Sequence, residues 1–353
     1  MNGTFNTEAG SEIYIGRAAQ YQKTDATRLI GNLIDQTGIN VAAAGAKVNQ
    51  DGKITIGEQT QGATAVNVSN GDANTVVNFG ASSVIDILGL GNVGGVPKRN
   101  VGIEAENSDD AQITHGGTIN VLGTNAVGEN LVAEQGRKAK IINTATSKIV
   151  VDESNPSSPT RNYGIYADGA GTGVSEAVVG GTLKLKGTEV IGAHARGNAT
   201  LTVNAGMQTI FEGGESQIGY HVNGGHAVAN VADQLNPVDI TTRNSTLYLA
   251  DEGGQVNAGR LDITASGDDV VMLAANGRSL DPAGGAGTAS NITTTGGTYA
   301  LTGSNSKAII VSGGATADVA GTATVTGAAA GTVIGIADGR PYGWDNLPEP
   351  GSS

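Results

Sequence analysis

Four histidines, His115, His194, His221 and His226, are the first places to look for chemistry, because the chain has no cysteine. That absence removes disulfide bridges, thiolate metal sites and cysteine nucleophiles. His194 and His221 hold the same place in two similar segments, Ile191-Gly192-Ala193-His194-Ala195-Arg196-Gly197 and Ile218-Gly219-Tyr220-His221-Val222-Asn223-Gly224. Tyr166 holds it in Tyr163-Gly164-Ile165-Tyr166-Ala167-Asp168-Gly169. Stacked strands would set the three side chains in one outward row, with the imidazoles about 5 Å apart. Such a row could take a metal weakly or respond to pH; the plainer reading is a surface row of mixed side chains. A serine triad lacks support, since no Gly-x-Ser-x-Gly elbow occurs. The adjacent acids Asp109-Asp110 and Asp268-Asp269 sit in turn contexts where Asp is common. Gly284-Gly285-Ala286-Gly287 lacks the Asp of a calcium-binding nonapeptide. Arg196-Gly197-Asn198 stops short of Arg-Gly-Asp, and Asn276-Gly277-Arg278 is explained as a turn. The reading is a non-enzyme with no catalytic residue, no metal and no cofactor.

The elements that must position these residues follow from composition and repetition. The 353 residues include 56 Gly but only 3 Phe and 1 Trp, so the core must be built from Val, Ile, Leu and Ala. Charged residues make up 15%, against about 25% in ordinary domains. With 8 Pro and no strict Gly-X-Y period, collagen is excluded. A net charge of −13 argues against nucleic acid and anionic membranes, which call for a basic face. No run approaches the length of a membrane span, and the start shows neither a basic nor an apolar leader region, so a signal peptide is expected to have been removed.

One block keeps returning: Val101-Gly102-Ile103-Glu104-Ala105, the three segments above, and Ile334-Gly335-Ile336-Ala337-Asp338-Gly339. Its glycines at 102, 128, 164, 192 and 219 are spaced by 26, 36, 28 and 27 residues. A second block precedes it, as Gly116-Gly117-Thr118-Ile119-Asn120-Val121, Gly180-Gly181-Thr182-Leu183-Lys184-Leu185 and Gly296-Gly297-Thr298-Tyr299-Ala300-Leu301. A third strand shows as Ala199-Thr200-Leu201-Thr202-Val203. Short alternating strands broken by Gly, Asn and Asp predict an all-β chain, a parallel β-helix (β-solenoid) of roughly ten coils. Gly is expected at corners that need positive φ.

The expected organisation is an N-terminal cap over 1–40, a β-helix over 41–340 and a linker over 341–353. The cap is read as a short helix with Ala26, Leu29, Ile30, Leu33 and Ile34 on one face, stopped by Gly38. Longer inserts are expected at 88–99, 152–162, 233–243 and 279–288, and such loops often carry binding. Candidate binding residues are therefore Lys98, Arg99 and Arg161 in the inserts, and Tyr166, His194 and His221 in the row. The charged patches Arg137, Lys138 and Lys140, and Lys184 and Lys186, complete the set.

The succession of Gly-Gly-Thr-Ile-Asn-Val and Val-Gly-Ile-x-Ala-x-x-Gly over residues 45–340 resembles passenger domains of bacterial type V autotransporters of the pertactin-like kind. The resemblance implies a right-handed parallel β-helix, export through a C-terminal outer-membrane barrel, and display on a Gram-negative cell surface or secretion. The barrel and the aromatic-rich autochaperone region have no counterpart here, so this chain would be a passenger or part of one. Adhesion to host cells or matrix, and self-association into aggregates and biofilm, are the activities implied. The expected partner is a second copy or a host surface protein or glycan. No functional residue carries over, because adhesive surfaces in this family are not defined by motifs. The alternatives are a glycan-active β-helix of tailspike or polysaccharide-lyase type, with a carboxylate pair assembled across coils, and an inert spacer holding a functional tip.

Overall fold

The computed structural model describes residues 3–16, 33–89, 98–152, 161–279, 287–327 and 332–337. Among the described residues every regular element is a strand, and the named strands pair in parallel ladders. The chain winds through eleven coils, and each coil gives one strand to each of three faces. Face A runs unbroken from Thr4–Thr7 to Thr316–Val319, and face C from Thr37–Val41 to Thr332–Ala337. Face B is in two pieces, seven strands from Glu12–Ile15 to Gln208–Phe211 and four from Val238–Ile240 to Ala323–Gly327. The result is a parallel β-helix about 50 Å long, taking an inter-strand spacing of about 4.8 Å.

Alternation puts one side chain in two into the bore. On face B two inner rows stack: Ile54, Ile85, Ile119, Ile149 and Leu183, beside Ile56, Ile87, Val121, Val151 and Leu185. These side chains are buried, each contributing about 1.5–3 kcal/mol. The scarcity of Phe and Trp is met by Phe79, Tyr220, Tyr248 and Tyr299, which fill wider points of the bore. Tyr220 and Tyr248 stack at 4.8 Å, and the Tyr220 hydroxyl bonds Thr209 at 2.8 Å.

The repeated glycine of face C has a reason other than the expected corner. A Cβ on Gly102, Gly128, Gly164 or Gly192 would lie 2.5 Å from the carbonyl oxygen of the equivalent residue one coil on. These glycines let successive coils approach; the corners are turned, as expected, by other glycines at positive φ, such as Gly136 (φ 83), Gly197 (φ 60) and Gly253 (φ 97), joined by Asn107 (φ 46) and Asp109 (φ 51). Just before face C, amide side chains tie one coil to the last. Asn100 Oδ1 accepts from Ala63 N (2.9 Å), Asn162 Oδ1 accepts from Ala126 N (2.9 Å), and Gln217 Nε2 donates to Gly187 O (2.7 Å).

The N-terminal helix needs correction. No helix occurs among the described residues, and Leu33–Ile34 is a strand paired with Thr60–Gln61. Ala26, Leu29 and Ile30 lie in 17–32, outside the described residues. A short apolar run suits a buried strand as well as a helix, and periodicity alone does not separate them. Segment 1–40 also supplies strands of the first coil, since Thr4–Thr7 pairs with Lys47–Gln50 and Glu12–Ile15 with Lys53–Ile56. Of the inserts, 90–97, 153–160 and 280–286 lie outside the described residues, as does the 341–353 tail. The 233–243 insert contains the strand Val238–Ile240.

Candidate functional site

Register on face C sets one outer row through Glu104, Asn130, Tyr166, His194, His221, Leu249 and Ala274. Beside it runs Val127, Tyr163, Ile191 and Ile218. The alignment of Tyr166 with His194 and His221 is as expected, but the row is not a surface row. Tyr166 is 6% exposed, His194 2% and His221 5%. With Val127, Tyr163, Ile191, Ile218 and Leu249 nearby, they belong to a second apolar layer outside the bore. Tyr166 stacks flat on His194 (5.1 Å, 11°), and Tyr163 meets both rings edge-on. The guanidinium of Arg99, which directly precedes the face C strand of the third coil, lies over Tyr163 (4.8 Å) and Tyr166 (5.3 Å) of the fifth.

The two imidazoles are 4.7 Å apart by ring centre, and their Nδ1 atoms are 3.0 Å apart. One Nδ1 must carry a proton and the other accept it. Both Nε2 atoms are buried without a hydrogen-bond partner. Burial holds His194 well below the usual imidazole range, with His221, Arg196 and Arg99 adding to the effect. Burial also lowers His221, to about 3, and the Arg161 charge acts in the same direction. Tyr166 is pushed up to about 12, first by burial and then by Asp168, against an opposing hydrogen bond from Arg196. Burial raises Asp168 and Glu104 above ordinary carboxylates. Five expected residues, Arg99, Arg161, Tyr166, His194 and His221, thus act on one another here. Tyr163, Asp168 and Arg196 complete the group and were missed. Their signal was available, since they occupy the same repeat block. Two imidazoles facing arginines suit a cation poorly, and no cluster of three or more metal-ligating side chains occurs among the described residues.

The remaining candidates are paired with acids on other coils, the adjacent one in every case but Lys98, whose Asp35 lies two coils back. Arg137 forks onto Asp109 (2.7 and 2.9 Å) and reaches Asn70 and the Asn107 carbonyl, tying three coils together. Lys138 pairs with Asp110, Lys140 with Glu176, Lys184 with Glu212, Lys186 with Asp152 and Lys98 with Asp35. On face A, Asp110, Gln112, Thr114, Lys140, Ile142 and Val174 line a shallow groove of about 550 Å³.

The bore holds a polar group that sequence reasoning passed over. Glu129 stands in an inner row between Ile103 and Ile165, and His115 stands between Phe79 and Asn143. His115 Nδ1 lies 2.8 Å from Asn143 Oδ1 and 2.9 Å from Glu129 Oε1, and Asn143 Nδ2 donates to Glu129 Oε2 at 2.9 Å. The bond to Asn143 Oδ1 places the proton on Nδ1, while Glu129 Oε1 accepts no hydrogen bond. All three residues are 1% exposed or less, so the trio is structural. The signal was Glu129 itself, an acid at the block position that is Ile in Val101-Gly102-Ile103 and Tyr163-Gly164-Ile165.

Comparison with known protein families, characterised proteins and solved structures gives no match to any of them.

Proposed function

We propose that the chain is a surface-displayed bacterial adhesin with no catalytic step. It attaches cells to host surfaces or matrix, or to one another, through polar faces of the rod and through inserted loops. The supporting observation is the outer row of face A, which reads Asn6, Asn49, Asn78, Thr114, Ile142, Val178, Thr202, Asn230, Asn257, Thr293 and Asp318. Amides and hydroxyls recur at strand spacing along nearly the whole rod. Part of their capacity is used within the row, as in Asn49 Nδ2 to Asn6 Oδ1 (2.9 Å) and Thr114 Oγ1 to Asn78 Oδ1 (2.9 Å). An amide has four hydrogen-bonding places, so much of the row still faces solvent. Many weak contacts of this kind add up to a broad polar interface. The half-exposed pair Lys140–Glu176 on the same face can exchange partners across it. Three of the four histidines are engaged in bonds that support no catalysis: His194 and His221 bond each other, and His115 bonds Asn143.

The expected result is salt-sensitive association in sedimentation velocity over a concentration series, with larger species at low salt dispersing at high salt. Single substitutions in the row should change it little. A monomer at every concentration, together with no retention on immobilised matrix or host-cell surfaces, would overturn the reading.

A further inference from the structure

We propose that the covered outer layer of face C, from Glu104 to Leu249, is an acid-triggered opening element. The His194–His221 pair holds it closed as a neutral couple, and further protons on that pair release it. The geometry leaves an added proton no good place. On the accepting Nδ1 it would set two N–H groups against each other across 3.0 Å. On the bare Nε2 it would sit buried with no acceptor.

The charged surroundings push the same way. Arg99 and Arg196 act on His194 and Arg161 on His221, while Tyr163 and Tyr166 present neutral rings. The acids of this face include Glu104 in the same row, Asp168 beside Arg196 at 3.7 Å, and Asp251 further along the row of Asp168 and Arg196, with Glu106 and Glu134 at strand ends. Glu104 and Asp168 take up protons more readily than ordinary carboxylates, because burial disfavours their charged forms. Acid therefore removes the charge of Glu104 and Asp168 while it loads positive charge onto the imidazoles. Leu249 and Ala274 continue the row with no group to answer it.

The sign is fixed by linkage. A histidine held below its ordinary value when closed binds fewer protons closed than open, so closure is favoured above the ordinary imidazole range and lost as pH falls. At about pH 4.5 an open imidazole of pKa about 6.5 gains roughly 100-fold over a closed one, and two gain roughly 10⁴-fold. That is the ratio needed to turn a 99:1 population into 1:99.

The test titrates the intact chain from neutral pH downward, following apolar-dye fluorescence for the exposure of Tyr163, Ile191 and Ile218. Far-UV circular dichroism monitors the strands in parallel. Dye signal should rise several-fold between about pH 6 and pH 4 while the strand signal holds. The double variant His194→Leu with His221→Leu, which extends the Leu249 row, should lose that rise. Should it fail to fold, His221→Leu alone should move the rise to lower pH. A rise unchanged in the variants overturns the proposal, as does a wild-type chain whose dye signal changes only when its strands melt.

Discussion

Replacing Glu129 by Ala, with His115 and Asn143 left in place, should lower the unfolding free energy by about 3–5 kcal/mol. The loss comes from what remains rather than from the pair itself. His115 Nδ1 would keep Asn143 Oδ1 but lose the carboxylate 2.9 Å away, and Asn143 Nδ2 would lose its only acceptor shown in the bore. Neither group can reach water, since both are 1% exposed. Replacing all three residues together, Glu129→Ile, His115→Phe and Asn143→Val, should recover most of the loss or exceed the native stability. Each new side chain continues a row that is apolar next door, through Ile103, Ile165 and Phe79. Replacing a buried polar group as a whole by apolar side chains of similar volume is often neutral or stabilising. Urea unfolding followed by circular dichroism checks both parts, with hydrogen exchange to localise the effect, because coils couple mainly to their neighbours. A single-variant loss under about 1 kcal/mol would show that the trio is not an interdependent unit.

Gly164→Val on face C should cost roughly 3 kcal/mol or more. Its Cβ would lie 2.5 Å from the Gly192 carbonyl oxygen, 3.0 Å from Val151 Cγ2 and 3.1 Å from Ile149 Cγ2. The obstacle is backbone, so a rotamer change does not relieve it, and the fifth and sixth coils would have to separate. Gly206→Ala supplies the control: a Cβ there meets nothing within 4 Å, and stability should stay within about 0.5 kcal/mol. Equal midpoints for the two variants in thermal unfolding would remove close coil approach as the reason for the glycine column.

The repeat unit, the parallel stacking and the aliphatic bore were legible because each rests on local alternation. Val101-Gly102-Ile103 and Gly116-Gly117-Thr118-Ile119 show inner and outer positions directly. The depth of the outer row was not legible. Alignment could pair His194 with His221, but their burial depends on the layer formed with Tyr163, Ile191 and Ile218, and on Arg99 reaching up from two coils below. Leu33 and Ile34 were misplaced because they share a helical spacing with Ala26, Leu29 and Ile30, while their actual partners, Thr60 and Gln61, are distant in sequence. The polar trio in the bore was hidden for a different reason. Its members, at 115, 129 and 143, come from three different strands on two faces, and only the winding of the chain brings them together.

The interruption of face B also bears on how the rod carries force. A molecule anchored at one end and pulled along its axis loads the backbone hydrogen bonds between coils in tension, and three rows share that load at most levels. Between the seventh and eighth coils only faces A and C continue, as Ala199–Val203 with Val228–Val231 and Ile218–Asn223 with Thr246–Asp251. The third row is replaced by side-chain stitches, Thr241 Oγ1 to Phe211 O at 2.6 Å and Asn236 Nδ2 to Gly206 O at 3.0 Å. That level is the weak lamina of the stack. In an optical trap the first yield should release the coils from Val228 onward as one block, and a first yield at either tip instead would place the weakness elsewhere. A tether built this way would lengthen under shear before its grip at the far end is tested.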